Sequence, residues 1–304
     1  MSATGRRTAR AGGLFALASA VQFGIVVVFA SRLAHRGLSV TSTLALRFGI
    51  ASVVLAAILA VLRRPLVPAP GERLGIVAIA VLGYAVEASI FFAALGHGTA
   101  AAVTLLFYTY PILVALGSWL VLRRGAPPRR TAVALALASA GVAIVVGVGG
   151  SLVIEAAGVV LALLSAVVIT GYLLGAEVVL RRTHPLTSSM WVSGAASVAL
   201  FAASFVSTTW RSPVGWTEWG PIAGMGVATA GAFVCLLEGI RRMGAERSSI
   251  VSSAEPLAAA ILAWVFLDQA VGLGVALGGG LILAGAILAS LGRDGVPEQE
   301  AAFP

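Results

Sequence analysis

The chain has 304 residues, of which 59% are hydrophobic and 11% charged, and its mean hydropathy is +1.02. Soluble domains carry roughly 25% charged residues, so this composition cannot supply a polar coat and excludes a water-soluble fold. The net charge of +8 comes from arginine without any lysine, and the arginines alternate with apolar runs instead of lining one face, which excludes a nucleic-acid binder.

The chain opens on a basic stretch holding Arg6, Arg7 and Arg10. The apolar segment that follows, from Leu14 to about Ala34, outlasts the roughly 7–15-residue core of a signal peptide, so it is read as a retained first helix. Runs of about 20 apolar residues, enough to cross roughly 30 Å of hydrocarbon, fall near 13–34, 41–62, 74–95, 99–122 and 131–149. Five more follow near 156–179, 187–208, 218–240, 247–267 and 271–291. The runs are continuous rather than alternating, which excludes a β-barrel, and helices satisfy their own backbone groups in lipid. The expected fold is an all-α membrane protein with ten transmembrane helices.

Cytoplasmic loops retain positive charge, so counting arginines by loop gives the orientation. With the N-terminus inside, the cytoplasmic side holds sixteen: Arg6, Arg7, Arg10, Arg63, Arg64, Arg73, Arg123, Arg124, Arg129, Arg130, Arg181, Arg182, Arg241, Arg242, Arg247 and Arg293. The outer side holds Arg32, Arg36 and Arg211, and Arg47 alone lies within a span. One missed or invented helix would exchange the sides of every later loop, so the asymmetry supports both the span count and two cytoplasmic termini. The setting expected is the inner membrane of a bacterium.

The sequence also repeats. Thr41-Ser42 recurs as Thr187-Ser188 and Gly98 as Gly244 at an offset of 146, while Pro111 and Trp119 recur as Pro256 and Trp264 at 145. A five-helix unit over 13–149 is thus followed by a second over 150–291, with tails at 1–12 and 292–304. Five is odd, so the second copy enters the membrane inverted, the arrangement many secondary transporters use for alternating access.

At these repeats the chain resembles the EamA-type branch of the drug/metabolite transporter superfamily, whose ten-helix members contain two such units. The likeness rests on Leu46-Arg47-Phe48, the run from Gly98 to Pro111, Ser252-Ser253-Ala254-Glu255-Pro256-Leu257, Trp264-Val265-Phe266-Leu267-Asp268 and Gly285-Ala286-Ile287-Leu288. It departs at Arg123, where the first repeat usually carries an acidic residue, and at Gln22-Phe23-Gly24. The resemblance implies a secondary exporter of small metabolites, amino-acid-like compounds or drugs.

Ionisable groups inside a span are costly and mark either pathways or structural pairs. Arg47 and Glu87 both fall in the outer half of the membrane, where they either pair with each other or face a substrate. Glu255, immediately before Pro256, can gather a proton or a substrate ammonium, or bond to Ser252 or another helix. Pro111 and Pro256 are expected to kink the fourth and ninth helices at corresponding depths, and either act as hinges or serve packing alone. Phe107, Tyr108 and Tyr110 either stack on substrate or fill space. Glu177 is expected to pair with Arg181, and Glu238 with Arg241 and Arg242, along single helix faces. Gly141, Ala138, Gly274, Gly278, Gly285 and Ala286 suit close packing within the monomer or a homodimer face, and Trp210, Trp216 and Trp219 read as interfacial anchors. One cysteine, Cys235, excludes an intramolecular disulfide.

The sequence has no Walker A loop, no His-Glu-x-x-His and no Gly-x-Ser-x-Gly. Neither an enzyme nor a cofactor is expected. The expected partners are a small-molecule substrate, the lipid bilayer and a coupling proton, and no nucleic acid. The rival readings are a nontransporting receptor or assembly subunit, and an intramembrane lipid-modifying enzyme.

Overall fold

The computed structural model describes residues 3–33, 38–148, 153–267 and 272–291. Arg36, Asp268 and the tail 292–304 lie outside the described residues. Apart from one isolated bridge between Gly98 and Ile154, the described chain is helical. Nine helices among the described residues are long and apolar enough to cross a membrane, and a shorter apolar one accompanies them.

The first span is α1 (Ala3–Leu33) and the second α2 (Val40–Val61), whose N-cap Ser39 accepts from the Ser42 amide. The third is α3 (Arg73–Leu95), which carries a π-helical stretch at Ile79–Ala85. The fourth is two pieces, α4 (Ala100–Phe107) and α5 (Tyr110–Leu120), and the fifth is α6 (Arg129–Val148). In the second half, α7 (Ala156–Val179) and α8 (Pro185–Val206) are the sixth and seventh spans. Next, α9 (Trp216–Ser252) is bent at Gly244, whose φ of +83° lies in the left-handed region that favours glycine. The bend separates the eighth span, 216–243, from the start of the ninth, which is completed by α10 (Glu255–Leu267), and α11 (Leu273–Ser290) is the tenth.

Packing displays the duplication. The second span lies against the seventh and the fifth against the tenth, while the first packs on the eighth and ninth and the sixth on the third and fourth. Each contact thus joins a helix to the other copy, as two inverted five-helix units wrapped around each other would. Lipid offers no hydrophobic drive for helix association, so small residues must let the backbones approach. Between α6 and α11 a Cβ on Gly141 would sit 2.5 Å from the Gly278 carbonyl, and one on Gly285 2.7 Å from that of Ala134.

The arginine-rich ends of the spans are tied together. The Glu72 carboxylate accepts from the Arg181, Arg182 and Thr183 amides and from the Thr183 hydroxyl. Glu238 pairs with Arg241 and Arg242 as the helical spacing predicts. Glu177 does not take Arg181: α7 ends at Val179 and Leu180 leaves helical geometry (ψ 65°), so the i,i+4 register is lost. Its carboxylate pairs with Arg124, which follows a left-handed turn at Arg123, and accepts from the Ala245 amide.

Candidate functional site

Both broken spans fail at their proline. The ring has no N–H, so the carbonyl four residues back loses its helical donor: Phe107 for Pro111 and Ser252 for Pro256. The sequence suggests a kink in a continuous helix; the structure instead ends one helix, inserts two turn residues and starts another. Tyr108-Thr109 form the first insertion and Ser253-Ala254 the second, with each proline in the first turn of the helix that follows. Because the repeats are inverted, α5 and α10 run from the protein centre toward opposite faces.

The two breaks meet. The Tyr108 hydroxyl in the first lies within electrostatic reach of the carboxylate of Glu255, the opening residue of α10. Glu255 thus faces the other repeat, while the buried Ser252 hydroxyl meets no hydrogen-bond partner among the described residues. A carboxylate at a helix N-terminus is stabilised by the amide dipoles it faces. Phe107, Tyr108 and Tyr110 form one aromatic group, with centroids 5.3–5.7 Å apart, which Phe91 extends at 5.0 Å.

Arg47 and Glu87 are both buried, and neither is the other's direct partner. Arg47 donates through Nε to the Thr229 hydroxyl at 2.8 Å and lies over the Phe48 ring at 4.7 Å. Glu87 accepts from Ser165 Oγ at 3.0 Å. Tyr84 lies within electrostatic reach of both and packs edge-on against Phe48, Tyr172 and Phe233. Arg47 lies within electrostatic range of Glu87 and Glu255 alike. One cation, two carboxylates and three tyrosines thus converge from the second, third, fourth and ninth spans, the eighth supplying Thr229 and Phe233.

Tyr84, Thr229, Phe233, Ser165 and Tyr172 are absent from the sequence-based candidates. Tyr84 is three residues before Glu87, and Thr229 four before Phe233, so each pair shares a helix face and could have been flagged. No local signal announces the π-helical stretch that holds Tyr84, although such wide turns collect at functional sites. Outside the site, Trp210 stacks on Phe201 and Phe205, while Trp216 stands exposed at the end of α9.

Comparison with known proteins gives a concordant picture. The model of the EamA-like transporter family matches residues 10–147 and again 156–291. Among solved structures, one crystal structure of a protein superposes with a TM-score of 0.80 at 20% identity, covering 91% of this chain and 96% of the other. At that identity the likeness establishes the fold alone. No curated protein matches the sequence.

Proposed function

The chain belongs to the EamA-like transporter family, and on that premise we propose that it is a secondary transporter exporting small metabolites, amino-acid-like compounds or drugs across a bacterial cytoplasmic membrane. Two inverted repeats rock against each other about the broken spans and expose the central cluster to each side in turn. The observation that carries this reading is the approach of Tyr108 to Glu255, which brings the two breaks together at an ionisable group. Arg47 is the counterpart for a substrate carboxylate, while Glu255 and Glu87 are counterparts for an ammonium or carriers of a coupling proton. The aromatic group from Phe107 to Tyr110 supplies the apolar wall, and Pro111 and Pro256 the hinges. The repeats run over 13–149 and 150–291, and the arginine-rich face, with both tails, lies in the cytoplasm.

Counterflow of labelled amino acids, nucleobases and cationic drugs in proteoliposomes tests the reading. Exchange of at least one class above protein-free liposomes is expected, and no exchange of any would overturn it. Proton coupling is tested in the Glu87→Gln/Glu255→Gln double variant. Loss of the pH-gradient dependence is expected, and full retention would eliminate both carboxylates as proton carriers.

A further inference from the structure

Away from the central cluster, a cleft of about 590 Å3 opens on the flank of the bundle between α2, α3 and α8. Its walls include Val77 and Val81 of the first repeat and Met190, Trp191, Ala195 and Val198 of the second. It therefore straddles the seam across which the repeats would slide. The volume falls within the roughly 300–1,000 Å3 typical of ligand sites, and the walls are almost wholly apolar. α8 begins at Pro185 on the arginine-rich face, so the cleft runs from near that face toward the protein centre.

The mouth nearest the arginine-rich face is built from two loops knitted together. Trp191 donates its indole N–H to the Leu66 carbonyl at 2.8 Å, and Thr187, one turn earlier, donates to the Pro65 carbonyl at 2.7 Å. Glu72 clasps the chain at Arg181–Thr183, and the Ala69 amide donates to the Thr183 hydroxyl at 3.0 Å. Arg63, Arg64, Arg181 and Arg182 stand exposed on this platform. None of the four guanidiniums forms a hydrogen bond or ion pair among the described residues. Arg63, which follows the C-cap of α2, has φ +51°, a left-handed conformation uncommon for a non-glycine residue. The field is felt locally: burial and the nearby Arg64 hold the His184 imidazole below its ordinary range.

We propose that this cleft binds an anionic phospholipid of the arginine-rich leaflet, with an acyl chain along Val77, Val81, Trp191, Ala195 and Val198 and the phosphate on Arg63, Arg64, Arg181 and Arg182. Clustered arginines at a span end attract anionic headgroups, and an apolar slot directly beside them accepts the attached chain. A free anion would use the platform and leave the slot empty; a neutral lipid would fill the slot and leave the charges unmet. Bound across the seam, the lipid ties α2 and α3 of one repeat to α8 of the other and favours the arrangement described above.

The test follows the thermal unfolding midpoint of delipidated protein in detergent as phosphatidylglycerol, phosphatidylcholine or inorganic phosphate is added. Phosphatidylglycerol is expected to raise the midpoint by several degrees, at a half-maximal concentration about tenfold or more below that of phosphatidylcholine, with phosphate alone inert. The Arg63→Gln/Arg64→Gln/Arg181→Gln/Arg182→Gln variant should lose the preference, and Ala195→Phe, which fills the slot and leaves the charges, should lose the shift. Equal action of the two lipids, a shift with phosphate alone, or a preference surviving both variants would overturn the proposal. So would a concentration-dependent dimer that Ala195→Phe disrupts. Where a variant does not fold, tryptophan emission decides. Brominated phosphatidylglycerol should quench it more than brominated phosphatidylcholine, Trp191→Phe should remove the difference, and equal quenching by the two would overturn the site.

Discussion

The broken fourth and ninth spans are the same backbone device carrying different chemistry. At an offset of 145, Phe107-Tyr108-Thr109-Tyr110-Pro111 stands opposite Ser252-Ser253-Ala254-Glu255-Pro256. Each copy ends a helix, turns through two residues and restarts with proline in the first turn. The first repeat fills its break with aromatic rings; the second, with a carboxylate between small residues. The discontinuity therefore belongs to the duplicated unit, while the ionisable group belongs to one copy, and the approach of Tyr108 to Glu255 reflects that difference between the copies.

The largest expected effect separates the two chemistries. A hydrogen bond to a charged group contributes about 1.5–3 kcal/mol. Glu255→Gln keeps the side chain's shape and removes the charge that faces Arg47 and Tyr108, so it should lower gradient-driven flux in proteoliposomes roughly 10–100-fold, while Tyr110→Phe at the matching position costs much less. Equal losses would show that the copies contribute alike. The prolines should behave oppositely. Pro111→Ala and Pro256→Ala each return a donor to the carbonyl four residues back, so both should slow exchange several-fold and to similar extents without loss of thermal stability. A marked inequality would place the hinge in one repeat.

A smaller contrast concerns the corresponding turns at Gly98 and Gly244. Gly244→Ala places a side chain at φ +83° and should cost about 1–2 kcal/mol in thermal unfolding, whatever its neighbours. At Gly98 a Cβ would lie 2.6 Å from Ile154, so Gly98→Ala should cost about 1–3 kcal/mol, recovered in large part by Ile154→Ala. Recovery at neither turn would remove the distinction. The smallest effect is at the caps of the second and seventh spans. Ser39 caps α2 with a hydroxyl that does not titrate, whereas His184 caps α8 by accepting from the Leu186 amide at 3.3 Å. Acceptance needs the neutral ring, and the folded pKa is lowered. This contribution is complete above the ordinary imidazole value and declines as pH falls below it toward the folded value. His184→Asn should flatten that part of a stability–pH curve.

Hydropathy placed the spans within a few residues, because lipid demands a long apolar run and the charged loops punctuate it. The repeated Pro111/Pro256 and Trp119/Trp264 revealed the duplication, and the depth of Arg47, Glu87 and Glu255 identified much of the cluster. Partnerships were not legible. Glu177 has Arg181 at helical spacing but meets Arg124, since a helix end and a left-handed turn intervene. Arg47 and Glu87 have Thr229 and Ser165 as direct partners, ordinary hydroxyls in apolar stretches that only tertiary packing selects. The doubled break escaped notice because proline announces a missing donor without stating whether the helix bends or stops.

The wide turn at Ile79–Ala85 amounts to a spare residue threaded into the third span. In an ordinary helix each residue advances the face by about 100° and the wide turn absorbs one such step, so deleting one residue there would let the span relax to regular geometry with Ile76 and Glu87 still in phase, whereas straightening it at unchanged length would rotate one end against the other. A chain shortened in this way would still reach across the bilayer and keep both faces, but Tyr84 would lose the wide turn that holds it. The spare residue therefore serves the placing of Tyr84 rather than the span's reach, and its deletion should spare insertion into the membrane far better than transport.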